Sequence, residues 1–304
     1  MQKVADGIYY LSTVGVPPTT SIYLVENDGE WAIFEPGPNS GAQTITEALG
    51  ANGISPSEVK YLIVSHIHLD HAGASASLLG TYPQSKLIVY RGAARHLADP
   101  SKLIASSSSI LGPLFEVWGG MPPVPAGRII EAADGQVFRI GDMPLRILYT
   151  PGHSPYHLSV WAEETGALFT GDAVGMYVRE KNSLWPASPL PSFRLDMEMD
   201  TLRKFESLGP DVLLIPHFEP VPDPEHFIGM NVETYSDWHE LLGNLKESDS
   251  QDIAAETILR SAKNYDWVRD NTLDWHMFNM HVSGFLQYER TAKQPPSDAS
   301  GTAR

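Results

Sequence analysis

The stretch Tyr61-Leu62-Ile63-Val64-Ser65-His66-Ile67-His68-Leu69-Asp70-His71 constrains this chain more than any other. Its apolar start reads as a short strand covered on both faces. Four groups able to bind a metal follow at the strand's carboxyl end: His66, His68, Asp70 and His71. Alternate residues of an extended segment point the same way, so His66 and His68 can grip one ion. Asp70 and His71 come as the chain turns into the small-residue helix Ala72-Gly73-Ala74-Ser75-Ala76, and they face elsewhere. That arrangement suits two ions side by side. A polar loop with chance histidines is a poor account, since the cluster holds three of the 11 histidines in 304 residues.

The ligand chemistry is narrowed by the absence of cysteine, which leaves only nitrogen and oxygen donors and excludes disulfides. Zn²⁺ is the default ion, and Mn²⁺ or Fe²⁺ suits the same donors. A net charge of −16 repels phosphate backbones, so nucleic acid is not an expected partner. No apolar run follows Met1, and none approaches the ~18 residues of a spanning helix. The expectation is a cytoplasmic protein, off the membrane, with a small-molecule substrate.

Strands are expected at 8–11, 21–25 and 31–34, the last two joined by the turn Asn27-Asp28-Gly29-Glu30. A helix follows over 44–50, and Ser55-Pro56-Ser57-Glu58 has the composition of a capped helix start. Strand 87–90 continues an alternation of strands and helices, the mark of an α/β layer. Residues 101–127 break it with Leu111, Leu114, Phe115 and Trp118 between serine- and glycine-rich flanks. Those side chains either roof a substrate site or dock on the core or a second subunit. Strands resume at 137–140, 145–149, 158–161, 167–170 and 212–215, with an aromatic, proline-rich loop over 184–193 and a helix over 197–208. Tyr177, Trp185 and Phe193 join Phe115 and Trp118 as candidate walls of an apolar pocket. Beyond Pro224, Phe227, Met230, Trp238, Leu241 and Leu245 recur at helical spacing, and further helices fit 252–262 and 272–288. The expected division is a catalytic domain over 1–222, a helical extension over 223–290 packed on it and a disordered tail over 291–304. So much apolar surface in the extension implies that it closes the site's mouth or forms a homodimer interface.

Strand after strand ends in a metal-capable residue: His66 to His71, His153 after Thr150-Pro151-Gly152, Asp172 after Thr170-Gly171, and His217 after Pro216. In this ordered set the chain resembles the metallo-β-lactamase superfamily over roughly residues 4–222. The resemblance implies a four-layer αββα sandwich. It also implies a first metal on His66, His68 and His153, a second on Asp70, His71 and His217, and Asp172 bridging both. The implied activity is that of a dinuclear hydrolase using a metal-bridging hydroxide to cleave a small ester, thioester, lactone or phosphoester. Asp70 would serve in addition as the catalytic group that orients the hydroxide or protonates the leaving group.

Departures from the relatives' patterns leave the substrate open. Superfamily members that cleave β-lactams carry Cys or Ser where Asp172 stands. Quorum-sensing lactonases share Ser65-His66-x-His68-x-Asp70-His71-Ala72-Gly73 but place a tyrosine where this chain has Gly175, its nearest tyrosine being Tyr177. Glyoxalase II enzymes follow the bridging Asp with a basic segment that Ala173–Tyr177 does not match, although Arg179 and Lys181 lie close. The same His-x-His-x-Asp-His pattern also serves the mononuclear iron persulfide dioxygenases. A ribonuclease Z-like nuclease and a metal-binding scaffold without catalysis complete the alternatives. His157 is expected beside the site rather than on a metal. His96, His226 and His239 are assigned to surface or helix packing, and His276 and His281 to core or interface packing.

Overall fold

The computed structural model describes residues 1–14, 20–217, 219–261 and 265–292. The tail expected from residue 291 lies, beyond Ala292, outside the described residues.

Seven strands form the first sheet in chain order: β1 (Gln2–Ala5), β2 (Ile8–Val14), β3 (Thr20–Asn27), β4 (Glu30–Phe34), β5 (Val59–Ile63), β6 (Lys86–Tyr90) and β7 (Ile129–Ala132). The first four pair antiparallel through short connections, whereas β4 to β7 are parallel and need helical crossovers. Those crossovers carry α1 (Ala42–Ala51), α2 (Leu69–Ala72), α3 (Ser75–Thr81), α4 (Ala94–Ala98), α5 (Ser101–Leu111) and α6 (Pro113–Trp118). The second sheet contains β8 (Val137–Ile140), β9 (Met143–Tyr149), β10 (Leu158–Ala162) and β11 (Ala167–Phe169). A hairpin of β12 (Met176–Val178) and β13 (Ser183–Trp185) and helix α7 (Leu195–Leu208) precede β14 (Val212–Leu214), which adds parallel to β11.

Ile8, Tyr23, Phe34, Ile63, Ile147 and Phe169 fill the space between the sheets, with the Phe34 and Phe169 rings 4.9 Å apart. The outer face of the first sheet is covered by α1, α3 and α4 through Ile45, Leu49, Leu78 and Leu97. The outer face of the second is covered by α7, α8 (Pro224–Gly243), α9 (Gln251–Ser261) and α10 (Thr272–Ala292). This is the expected αββα sandwich, with the C-terminal helices forming part of its last layer. One continuous apolar cluster runs from Leu168 and Phe205 to Trp238, Phe278 and Phe285, across the boundary expected at residue 222.

Local chemistry sets the ends of elements. Asp223 caps α8 by accepting from the His226 N–H at 3.2 Å, and Pro224 occupies the first turn. Ser55–Glu58, by contrast, is a turn and not the start of a helix. Glu58 accepts from the Ser55 N–H at 2.5 Å, closing a capping-box-like contact, but β5 begins at the next residue, Val59, and strand pairing claims the backbone. The 101–127 insertion is largely helical, and its Leu111, Leu114 and Trp118 are buried against the outer face of the first sheet.

Candidate active site

The seven predicted ligands sit at the carboxyl ends of β5, β9, β11 and β14 and in α2. Their surroundings tie one sheet to the other. Tyr23 Oη donates to Ile215 O at 2.7 Å, and the Ser21 N–H donates to Pro216 O at 2.6 Å, fixing the approach to His217. Thr20 Oγ1 donates to Asp70 O at 2.6 Å, and the Leu158 N–H to Ser65 O at 2.8 Å. Gly152 and Gly171, at φ +143° and +56°, precede His153 and Asp172. A Cβ on the first would meet Glu198, and one on the second would meet Ser65 and His157, so only glycine lets the chain turn there.

The structure brings all seven side chains together as two groups, His66, His68, His153 and Asp172, and Asp70, His71 and His217. Within each group the donor atoms lie within 4.8 Å of one another. His66 Nε2 lies 2.8 Å from His68 Nδ1, and His153 Nε2 lies 3.1 Å from each. Asp172 stands between the groups. Its Oδ2 is 3.3 Å from His153 Nε2 and 3.4 Å from His71 Nε2, while its Oδ1 is 3.3 Å from His217 Nε2. Asp70 Oδ2 lies 3.4 Å from His71 Nε2 and 3.9 Å from His217 Nε2.

The donor chemistry fits cations. His153 Nδ1 faces Ala187 O at 2.9 Å, and a carbonyl only accepts, so Nδ1 carries the proton and Nε2 presents a bare lone pair. That nitrogen lies 3.1 Å from two further imidazole nitrogens, a little closer than the roughly 3.3 Å between tetrahedral ligands of one ion. Both ring nitrogens of His71, Asp172 Oδ1 and both oxygens of Glu35 are buried without hydrogen-bond partners in the protein. Burial, reinforced by neighbouring histidines, holds the ring of His66 well below the ordinary histidine pKa, and burial also lowers His153. Burial works against the charged form of Asp172 as well, but His71, His153 and His217 outweigh it and hold the carboxyl well below the usual range. Asp70 is held at about 2, burial being overcome by His71 and His217. Neutral His66 and His153 beside ionised carboxylates are the forms that coordination requires.

Two supporting carboxylates went unrecognised in the sequence. Glu35, fully buried after β4, places Oε2 3.2 Å from His71 Nδ1, close enough for the carboxylate to act on that ring by its charge. The signal was a charged residue between the apolar run of β4 and Pro36-Gly37. Glu198 Oε2 accepts from the His153 N–H at 2.9 Å, and burial pushes its carboxyl well up. It shares a face of α7 with Leu195, Thr201, Leu202 and Phe205, and an acid on that buried face was the readable anomaly. His157 stands beside the ligands, its Nδ1 2.8 Å from Thr150 Oγ1 and its ring 5.3 Å from that of His66.

A cavity of about 370 Å³ opens on the two groups and is lined by His68, Asp70, His153, Asp172 and His217. Of the five predicted wall residues, Trp118 lines it. The other four belong to packing. Phe115 rests against the outer cluster of the first sheet, and Tyr177 packs on Phe227 at 5.5 Å. Trp185 and Phe193 are claimed by the C-terminal helices, 5.8 Å from Phe278 and 5.2 Å from Phe285. The walls come instead from Ile67, Leu103, Ile110, Met277 and Met280, so α5 and α10 roof the site together. His276, Nε2 2.9 Å from Ile110 O, ties these helices to each other. His96 and His281, assigned to packing from the sequence, also line the cavity.

Comparisons with known proteins agree with this geometry. A metallo-beta-lactamase fold-containing protein of Sulfurisphaera tokodaii is 32% identical over 164 residues, covering 53% of this chain and 60% of its own length. An N-acyl homoserine lactonase of Agrobacterium fabrum is 28% identical over 170 residues, covering 55% and 58%. An atrochrysone carboxyl ACP thioesterase of Aspergillus fumigatus is 28% identical over 174 residues, covering 56% and 33%. The match thus spans between a third and three fifths of these relatives. Among solved structures, a metallo-beta-lactamase family protein of Thermus thermophilus superposes with TM-score 0.70 at 21% identity, covering 94% of both chains. The archaeal protein superposes at 0.68 and 23%, covering 92% of this chain and 98% of its own. At those identities the structural likeness is one of fold. The family model described as the metallo-beta-lactamase superfamily matches residues 15–217, more than half of the sequence and every ligand position. The chain therefore belongs to the metallo-β-lactamase superfamily.

Proposed function

We propose that this protein is a dinuclear metal-dependent hydrolase of carboxylic esters, thioesters or lactones that carry an apolar acyl group. The observation that carries the reading is Asp172, placed with one oxygen toward His153 and His71 and the other toward His217, inside a cavity with apolar walls. His66, His68 and His153 would hold one ion, Asp70, His71 and His217 the second, and Asp172 would serve both. Bound divalent ions supply there a water acidic enough to act as nucleophile near neutral pH and a Lewis acid for the scissile carbonyl.

The chain's own residues do the rest. Ala187 O fixes the ring of His153, and the Glu35 carboxylate stands 3.2 Å from that of His71. Asp70 lines the cavity as well as facing His71 and His217, and its carboxylate is placed to hold or pass a proton at the leaving oxygen or sulfur. Aliphatic and methionine side chains exclude water around an acyl chain. Lys102 is the lone Lys or Arg among the described residues lining the cavity, which favours an uncharged acyl group over a phosphoester. The names of the lactonase and thioesterase relatives point the same way.

The test is a panel of octanoyl esters, thioesters and lactones beside phosphodiesters and β-lactams, run with defined metals. Two metal ions per chain and hydrolysis confined to the acyl substrates are expected. Asp172→Ala should bind fewer ions and lose about 10³-fold or more in kcat/KM. A single tightly held iron with no hydrolysis would overturn the reading in favour of an oxidoreductase.

A further inference from the structure

His281 belongs to α10, far in sequence from every ligand, yet it lines the same cavity as His68, Asp70, His153, Asp172 and His217. Its ring is 3% exposed, and the groups whose charge it feels include Asp172, His217, Asp70 and His68. The Ser188 N–H donates to His281 Nδ1 at 3.0 Å. A backbone N–H only donates, so Nδ1 is the unprotonated nitrogen and the neutral ring carries its proton on Nε2. That Nε2 is buried and has no partner in the protein. A buried donor without an acceptor is costly, so the fold retains it at a loss unless something entering the cavity accepts from it.

The placement is built from both sides. Ala187 C=O and Ser188 N–H belong to one peptide group. Its carbonyl accepts from His153 Nδ1 at 2.9 Å, and its N–H serves His281. The two imidazoles are therefore spaced by a single rigid peptide plane, each with Nδ1 occupied and Nε2 left over. His153 turns its Nε2 toward the metal ligands, as the distances above require. Ser188 Oγ donates back to His281 O at 2.9 Å, and Ala187 N–H donates to Tyr235 Oη at 3.0 Å, locking the segment to α10 and α8. Gly284, one turn after His281, lies flush on Ser188 and Pro189. A Cβ there would run into the Ser188 carbonyl, so this helix is seated as closely as a backbone allows.

We infer that His281 Nε2–H is a substrate-binding donor, supplied by the C-terminal helices, that hydrogen-bonds an oxygen of the acyl group during hydrolysis. The inference rests on the acyl-hydrolase reading above and adds a specificity-determining residue to it. The donor is held in place without a protein partner before substrate arrives, and a bond that it gains only with substrate bound would favour acyl transfer.

Two substitutions separate this role from mere support of Ser188. His281→Asn keeps an acceptor where Nδ1 stands but has no donor at the Nε2 position. His281→Gln places an amide N–H where Nε2 stands and gives up the acceptor for Ser188. Octanoate, the acid such hydrolysis would release, is titrated calorimetrically against the zinc-loaded protein. Wild type and His281→Gln should bind it within about threefold of each other, and His281→Asn about tenfold more weakly. With an octanoyl ester, kcat/KM should fall at least about tenfold in His281→Asn while zinc content stays put, and His281→Gln should restore most of it. Equal octanoate affinity in the two variants, a weaker His281→Gln than His281→Asn, or failure of the wild type to bind octanoate would each overturn the inference. Octanoate binding that discriminates as expected, with no ester turned over, would uphold the donor and sink the hydrolase reading alone.

Discussion

His153 takes its proton pattern from Ala187 and its backbone position from Glu198, and neither contact involves a ligand atom. Glu198→Ala removes the acceptor for the His153 N–H and should cost about 1–3 kcal/mol of stability. It should also weaken zinc retention roughly 10- to 100-fold, measured by competition with a chelator. Glu198→Gln keeps an acceptor oxygen and should recover most of both. For His281, burial is the leading cause that lowers the ring's pKa, to about 4. The neutral, Nε2-protonated form therefore persists through the neutral range. Only below that value does the ring take a second proton, which must sit on Nδ1 and break the bond from Ser188. The ratio of wild-type to His281→Asn rates is accordingly expected to be flat from about pH 5 to pH 8 in paired pH–rate profiles.

Among the elements, α8 and α10 do most to define the site that the ligands alone leave open. Trp238 of α8 is 1% exposed and packs on Phe278 and Phe285 of α10 at 5.7 and 5.8 Å. Trp238→Ala should lose about 3–5 kcal/mol in urea unfolding and raise KM for octanoyl esters, because α10 carries Met277, Met280 and His281. The strands and the candidate cluster His66 to His71 were legible in the sequence because both are local. A buried strand reads as an apolar run, and His66 to His71 lie within six residues of chain. The cavity walls were not legible. Trp185 and Phe193 carry the composition of a pocket, and nothing near them in sequence reveals that Phe278 and Phe285 cover them. His281 was hidden for the same reason, since it lies far in sequence from the ligands with which it lines the cavity. The turn at Ser55–Glu58 failed differently, with capping chemistry present but no length of helix to cap.

For the molecule as a whole, ions held by the two groups of donors at the seam between the sheets would add to the stability of the fold. A chelator should lower the melting temperature, since ions at 100 times their dissociation constant add about 2.7 kcal/mol per site. The net charge of −16 gives the surface a negative field that acts on substrates before they reach the cavity. Added salt should raise kcat/KM for a carboxylate-bearing ester and leave a neutral one unchanged. Among the described residues, no helix is long and apolar enough to cross a membrane.

The segment that seats His153 and the helix that seats the segment are made far apart in time. Residues 183–193 leave the ribosome long before α10, so the sandwich can close while its reaction chamber still lacks a wall. A nascent chain stalled ahead of Thr272 would carry all seven ligands and still be chemically unfinished. Among the described helices α10 comes last in the sequence, so the cavity gains this wall only after every candidate ligand has been made.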